Sequence, residues 1–191
     1  DIPPHNLGEI IDALLHLMKN PNASLDTLMK YIPGPDFPTG AIVVGKNGIK
    51  EAYRTGQGRI ILRGKTLIEK KGRKEQIVIT EIPYQLSKSR LIEEIADLAN
   101  KGKIDNIADL RDESDQEGLR IVIELKSNAD SDLILNRLFK FTSLQTSYRI
   151  NMLALVGKKP QVMDLKTILQ HFIDFRREVV TRRTQYRLKK A

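Results

Sequence analysis

Tyr53-Arg54-Thr55-Gly56-Gln57-Gly58-Arg59 sets two guanidiniums, two hydroxyls and a carboxamide around two glycines. Such a string suits an oxyanion: Arg and neutral donors hold phosphate oxygens, and glycines let the backbone approach them closely. The competing reading is a tight connection from a helix to a strand. Arg54, Thr55, Gln57 and Arg59 are the central candidates for phosphate contact, and Lys46, Arg63 and Lys65 extend the positive charge to either side. Lys88 and Arg90 form a second candidate pair near a helix N-terminus, whose free amides add positive potential. Pairing with Glu93 and Glu94 at helical spacing is the competing reading of those two.

Groups able to make or break bonds are scarcer. Asp112, Glu113 and Asp115 could gather around a divalent cation, although an Asp-rich loop at a strand end also serves as a solvated turn. Neither a Gly-x-Ser-x-Gly elbow nor a Walker-type phosphate loop occurs, because Gly56-Gln57-Gly58 is too short and lacks a following Lys-Ser/Thr. With no cysteine, disulfides and thiolate metal sites are excluded. His5, His16 and His171 are too scattered for a zinc site. The expectation is a chain without a cofactor, a bound metal or ATP of its own.

The net charge of +8 is unevenly spread. From Lys46 to Lys74 ten basic residues face only Glu51 and Glu69, and from Arg176 to Lys190 seven face only Glu178, so the remainder is net acidic. Segregation of that kind points to a polyanion, with phosphates met by Arg and Lys without base reading. Apolar residues make up 40% of the chain, enough for a buried core at 191 residues. No apolar run is long enough for a membrane-spanning helix and the first residues do not resemble a signal peptide, so the expectation is a soluble, cytoplasmic protein with no membrane contact.

The elements that must position these groups follow from periodicity. Leu7, Ile10, Ile11, Leu14, Leu17 and Met18 predict a helix over 7–19 with Asn6 and Glu9 as a capping pair. Asn20-Pro21-Asn22 ends it, Ser24 caps a short second helix, and 31–38 is a proline-stiffened connection. Strands are predicted at 41–44, at 60–68 and around 77–79, the last two joined by a basic hairpin tip at Lys70-Lys71-Gly72-Arg73. Then come a helix carrying Leu91, Ile95 and Leu98, a strand over 104–110, a strand over 119–125 with apolar Val122 facing outward, a helix capped by Asp130, and a closing strand over 150–156. The order β-α-β-β-α-β is the split, ferredoxin-like arrangement of an α+β fold, with helices on one face of an antiparallel sheet. A long helix begins at about Leu165, with Phe172, Phe175 and Val179 as its apolar seam, and the lack of a C-cap signal reads as a fragment boundary within a longer helix. The seam is expected to pack on the chain's own domain, leaving a monomer.

Beyond these readings, ordered strings along the chain resemble the A subunits of type IIA DNA topoisomerases. They are Ile2-Pro3-Pro4-His5-Asn6, Ile32-Pro33-Gly34-Pro35-Asp36-Phe37-Pro38-Thr39, Glu51 to Arg59, Glu81-Ile82-Pro83-Tyr84-Gln85, Leu110 to Asp115 and Arg176 to Arg183. Pro33 to Thr39 and Tyr53 to Gly56 resemble bacterial DNA gyrase more. Ser147-Tyr148-Arg149-Ile150-Asn151 and Asp1 before Ile2 lean toward topoisomerase IV. The resemblance implies a tower domain over 41–160, preceded by a helical linker over 1–40 and followed by the start of a coiled coil over 161–191. It also implies that the tower flanks a bent duplex and contacts its backbone. The family's nucleophilic tyrosine lies in an Arg-Tyr-Thr context, and its wedging isoleucine in a Gly-Ile-Ala-Val-Gly context. Neither is present here, so the fragment alone is expected to be inactive. Mg2+ and ATP are implied to act through the gyrase B subunit, in a heterotetramer that includes a second copy of the A subunit.

Two other classes compete with a duplex-binding fragment. A basic RNA-binding α+β module would expose stacking aromatics on its sheet, and the predicted strands carry almost none. An interaction domain that dimerises through the last helix would leave the charge incidental, and its duplex binding would not depend on salt.

Overall fold

The structure is a computed structural model that describes residues 1–190. The chain forms two compact units, one from Asp1–Asp36, Lys46–Arg59 and Arg149–Ala191, the other from Phe37–Gly45 and Ile60–Tyr148.

In the first unit, α1 (Leu7–Lys19) starts where Asn6 Oδ1 accepts the Glu9 amide at 3.1 Å, and it buries Ala13 and Leu17. Ser24 caps α2 (Leu25–Tyr31) in the same way through the Thr27 amide. The short helix α3 (Asn47–Thr55) ends at Gly56 in the left-handed conformation, φ 82°. Asp164 caps the final helix, α6 (Leu165–Lys190), through the Thr167 amide at 2.9 Å. Leu165, Leu169 and Ile173, four residues apart, are the buried positions of α6, which packs on α1, α2 and α3. This corrects the expected seam: Phe172 and Phe175 are 50% and 59% exposed. Both stripes satisfy a spacing of three and four, and contact with the three short helices selects the one that carries Leu169 and Ile173.

In the second unit, β3 (Lys65–Lys71), β4 (Lys74–Glu81), β5 (Ile107–Asp112) and β6 (Ile121–Leu125) form an antiparallel sheet in the order β3-β4-β6-β5. The helices α4 (Lys88–Asn100) and α5 (Ser131–Phe141), capped by Ser87 and Asp130, close one face. Leu91 and Ile95 of α4, Ile134 and Leu138 of α5, Ile77 and Ile79 of β4, and Ile121, Ile123 and Leu125 of β6 form the core. On the other face Leu67, Val78, Val122 and Arg111 stand in one cross-strand row. Val122 does face away from the helices, yet it and Val78 are fully buried. Ion-paired long side chains to either side of them, Glu69 with Arg120 and Arg111 with Glu124, seal the row.

The fold is α+β, and the expected β-α-β-β-α-β order of elements is present, but two strand assignments change. Ile60 to Ile68 is two strands, β2 (Gln57–Arg63) and β3, broken at Gly64. A Cβ on Gly64 would stand 2.5 Å from Leu144 Cδ1 and 2.8 Å from the Glu81 carbonyl, so only glycine lets the chain cross there. The predicted closing strand over 150–156 is likewise two. β7 (Gln145–Asn151) lies beside β2 in a three-stranded sheet with β1 (Ile42–Val44), and β8 (Leu153–Val156) turns through Gly157 into β9 (Lys159–Val162). The edge of the larger sheet that a closed split fold gives to its last strand is taken by β3. Between β7 and β8, buried Met152 donates its amide to the Gly56 carbonyl at 2.7 Å and accepts from Met163, which turns the strand aside.

Candidate nucleic-acid interface

The string from Tyr53 to Arg59 is the end of α3, its glycine cap and the start of β2. Tyr53 is fully buried. Its hydroxyl lies 2.7 Å from His5 Nε2, while His5 Nδ1 lies 2.8 Å from the Pro3 carbonyl. A carbonyl only accepts, so Nδ1 carries the proton and Nε2 accepts from Tyr53. Burial lowers the His5 pKa from its ordinary value and raises that of Tyr53, so both are held neutral. That hydroxyl is a structural donor, sealed from any nucleic acid.

Both glycines have internal reasons. A Cβ at Gly56 would meet the Met163 carbonyl oxygen at 2.6 Å, and one at Gly58 would meet the Gly48 carbonyl oxygen at 2.7 Å and Ala52 Cβ at 2.8 Å. Close packing within the unit therefore accounts for them, and they are not spare freedom for a ligand. Thr55 is occupied as well, its one hydroxyl proton lying between the Glu51 and Gln57 carbonyls at 2.9 and 2.8 Å while its oxygen accepts the Gln57 amide.

The structure separates the candidate cations by their engagement. Arg54 pairs with Glu51 at 2.6 Å, Lys65 with Glu81 at 3.6 Å, Lys88 with Asp112 at 2.8 Å and Arg90 with Glu94 at 3.1 Å. Arg63 donates to Gln145 Oε1 at 2.8 Å and lies 4.4 Å over the Phe139 ring. Among the described residues no carboxylate pairs with Lys46 or Arg59, nor with Lys70, Lys71 and Arg73 around the β3–β4 hairpin tip. Gln57 donates across to Asn151 Oδ1 at 3.4 Å, and a shallow cleft of about 370 Å³ is lined there by Gln57, Gly58, Arg59, Arg149, Ile150 and Asn151. Arg149 is not legible in the sequence as a site residue. Its place opposite the basic string depends on a strand pairing between positions far apart along the chain.

The acidic run that suggests a cation site is saturated internally. Arg111 binds Asp109, Glu113 and Glu124 at 2.8–3.2 Å, and Arg120 binds Glu113 and Glu69. Lys88 and the Ser114 turn pull the Asp112 pKa down to about 2. Asp115 Oδ1 accepts the Glu117 and Gly118 amides. Among the described residues no three His, Cys, Asp or Glu side chains converge as a metal site would require. None of their helices is long and apolar enough to cross a membrane.

Comparison with known proteins gives the family. The model for the DNA gyrase/topoisomerase IV A subunit matches residues 1–191, and the chain belongs to that family. It is 55% identical over 192 residues to the DNA gyrase A subunit of Clostridium acetobutylicum and 55% over 194 residues to that of Pseudomonas aeruginosa, covering 100% of this chain and 23% and 21% of those proteins. The DNA topoisomerase 4 A subunit of Streptococcus pneumoniae is 51% identical over 192 residues, again covering 100% of this chain and 23% of that protein. The chain thus spans between a fifth and a quarter of the length of the relatives it matches.

Proposed function

We propose that this chain is the duplex-binding and duplex-bending tower region of a gyrase-like type IIA topoisomerase A subunit. The observation that carries the reading is the set of cations that find no carboxylate partner among the described residues, Lys46, Arg59, Lys70, Lys71 and Arg73, in a chain whose positive charge is concentrated between Lys46 and Lys74. Family membership along all of residues 1–191 supports it. Phosphates along a duplex release counter-ions when Lys and Arg replace them, and such binding tolerates any sequence. Lys65, Lys88, Arg90 and Arg54 contribute from their existing ion pairs, by exchanging a carboxylate for a phosphate at the surface. In the whole protein the activity is a change of DNA topology by transient double-strand breakage. Mg2+ and ATP hydrolysis are supplied by the gyrase B subunit, and a second copy of the A subunit completes the heterotetramer in the cytoplasm. The acidic run from Asp112 to Asp115 does not fit that metal, since Lys88 holds Asp112, Arg111 and Arg120 hold Glu113, and Asp115 accepts the Glu117 and Gly118 amides. An RNA-binding sheet is disfavoured because the helix-free face of β3, β4, β6 and β5 presents Leu67, Val78, Val122 and paired charges, with no aromatic to stack a base.

The test is a salt titration of binding to a short labelled duplex. A steep fall in affinity with salt, alike for unrelated sequences, is expected, and Arg59→Ala should reduce the slope by about one unit. Arg54→Ala should reduce it less, because Glu51 already holds that guanidinium. Binding that ignores salt would exclude the reading and favour an interaction domain. Supercoiled plasmid incubated with the chain and magnesium should stay unchanged, and a tyrosine-linked DNA adduct on this chain would contradict the assignment.

A further inference from the structure

Two contacts fix the alignment of β2 and β7 in the first unit. Met152 donates its amide to the Gly56 carbonyl, and Gln57 donates its side-chain amide to Asn151. As the residue number rises by one on one strand it falls by one on the other, so the strands are antiparallel and the next pair on the face of Gln57 and Asn151 is Arg59 opposite Arg149. Both arginines are exposed, both line the cleft of about 370 Å³, and neither has a carboxylate partner among the described residues. Like charges placed directly opposite on paired strands are unfavourable, and nothing in the local packing requires these two. Gln57 and Asn151, the other side chains of this face that line the cleft, are neutral and already bonded to each other. The cleft therefore offers two forks of N–H donors, an amide pair at its end and no acid to neutralise them. Such a site is complementary to one tetrahedral oxyanion, which two planar guanidiniums can hold through paired donors.

We infer that Arg149 and Arg59 together clamp a single backbone phosphate of the bound duplex. This inference rests on the duplex-binding reading above and deepens it by adding a residue and a geometry. Both guanidiniums reach the same phosphate, so losing either releases the contact. The free protein carries their repulsion, which the phosphate relieves.

The experiment combines the duplex salt titration with thermal melting in inorganic phosphate or chloride at matched ionic strength, for the unsubstituted chain, Arg59→Gln, Arg149→Gln and the double variant. Arg149→Gln should reduce the salt slope by about one unit, as Arg59→Gln does, and the double variant should lose less than the two singles summed. Arg149→Lys, which keeps the charge, should retain most of the slope. Each Gln variant should melt at or above the unsubstituted chain, and phosphate should raise the midpoint of the unsubstituted chain alone. An unchanged slope in Arg149→Gln, beside normal salt-dependent binding by the unsubstituted chain, overturns the clamp and leaves the proposed function standing. A phosphate-dependent midpoint that Arg149→Gln abolishes, with an unchanged duplex slope, assigns the pair to free phosphate and overturns the DNA assignment. Absence of salt-dependent duplex binding in the unsubstituted chain overturns the proposed function and the clamp on DNA together.

Discussion

Ile173→Ala is expected to lower the free energy of unfolding by about 2–5 kcal/mol, whereas Phe175→Ala, two residues further on, should change it by no more than about 0.5 kcal/mol. Ile173 is buried with Leu165 and Leu169 on the stripe of α6 that packs on α1, α2 and α3, and truncating it removes apolar contact and leaves a cavity. Phe175 is the larger side chain, but it is 59% exposed and has little burial to lose. Phe172 is also half-exposed, at the side of an apolar groove of about 500 Å³ formed with Ile11, Leu15 and Met18 of α1. Denaturant unfolding of the two variants side by side measures the difference. A Phe175 variant weaker than the Ile173 variant would mean that α6 is rotated to bury the phenylalanine stripe.

Why the bounds of α1 are legible to the residue while the buried stripe of α6 is not is a matter of range. Asn6 and Ser24 cap their helices through amides three residues away, so the signals sit inside one turn and need no knowledge of the fold. The choice between two stripes of α6 is made by three helices from the other end of the chain. Gly64 illustrates the same limit: Ile60 to Ile68 reads as one strand, and the break follows from Leu144, whose approach no local pattern encodes. In the candidate site, the charge excess from Lys46 to Lys74 is visible because it is a property of composition. Its sorting into paired and unpaired cations is not, since Lys88 finds Asp112 and Arg120 finds Glu69 across the sheet. The acidic run from Asp112 to Asp115 is ambiguous in sequence for that reason. Its counter-charges are Arg111 of β5, Arg120 just before β6 and Lys88 of α4, and only with them in place does the cluster become a set of ion pairs. Arg149 is hidden in the same way, one strand pairing away from the residues that suggest a phosphate site.

Tyr53→Ala is expected to cost about 3–5 kcal/mol, the range for truncating a buried aromatic, and Tyr53→Phe about 1–3 kcal/mol, the cost of stranding a buried hydrogen-bonding group. The ring is fully buried, and its hydroxyl is the donor to His5 Nε2. The two variants separate the ring from the hydroxyl. The histidine also gives the stability a predictable pH dependence. Burial holds the His5 pKa below its ordinary value near 6.5, so the unfolded chain takes up the proton before the folded one does. By linkage, the contribution of neutral His5 is present above about pH 6.5 and is lost as the pH falls through the lower folded value. Protonation also removes the acceptor that Tyr53 uses, because both ring nitrogens then donate. Unfolding midpoints of the unsubstituted chain should therefore decline below about pH 6.5, and the decline should be shallower in Tyr53→Phe, where neutral His5 has no hydroxyl to lose. A Tyr53→Phe variant as stable as the parent and with the same pH profile would show that the His5–Tyr53 bond contributes nothing to holding Ile2-Pro3-Pro4-His5 against α3.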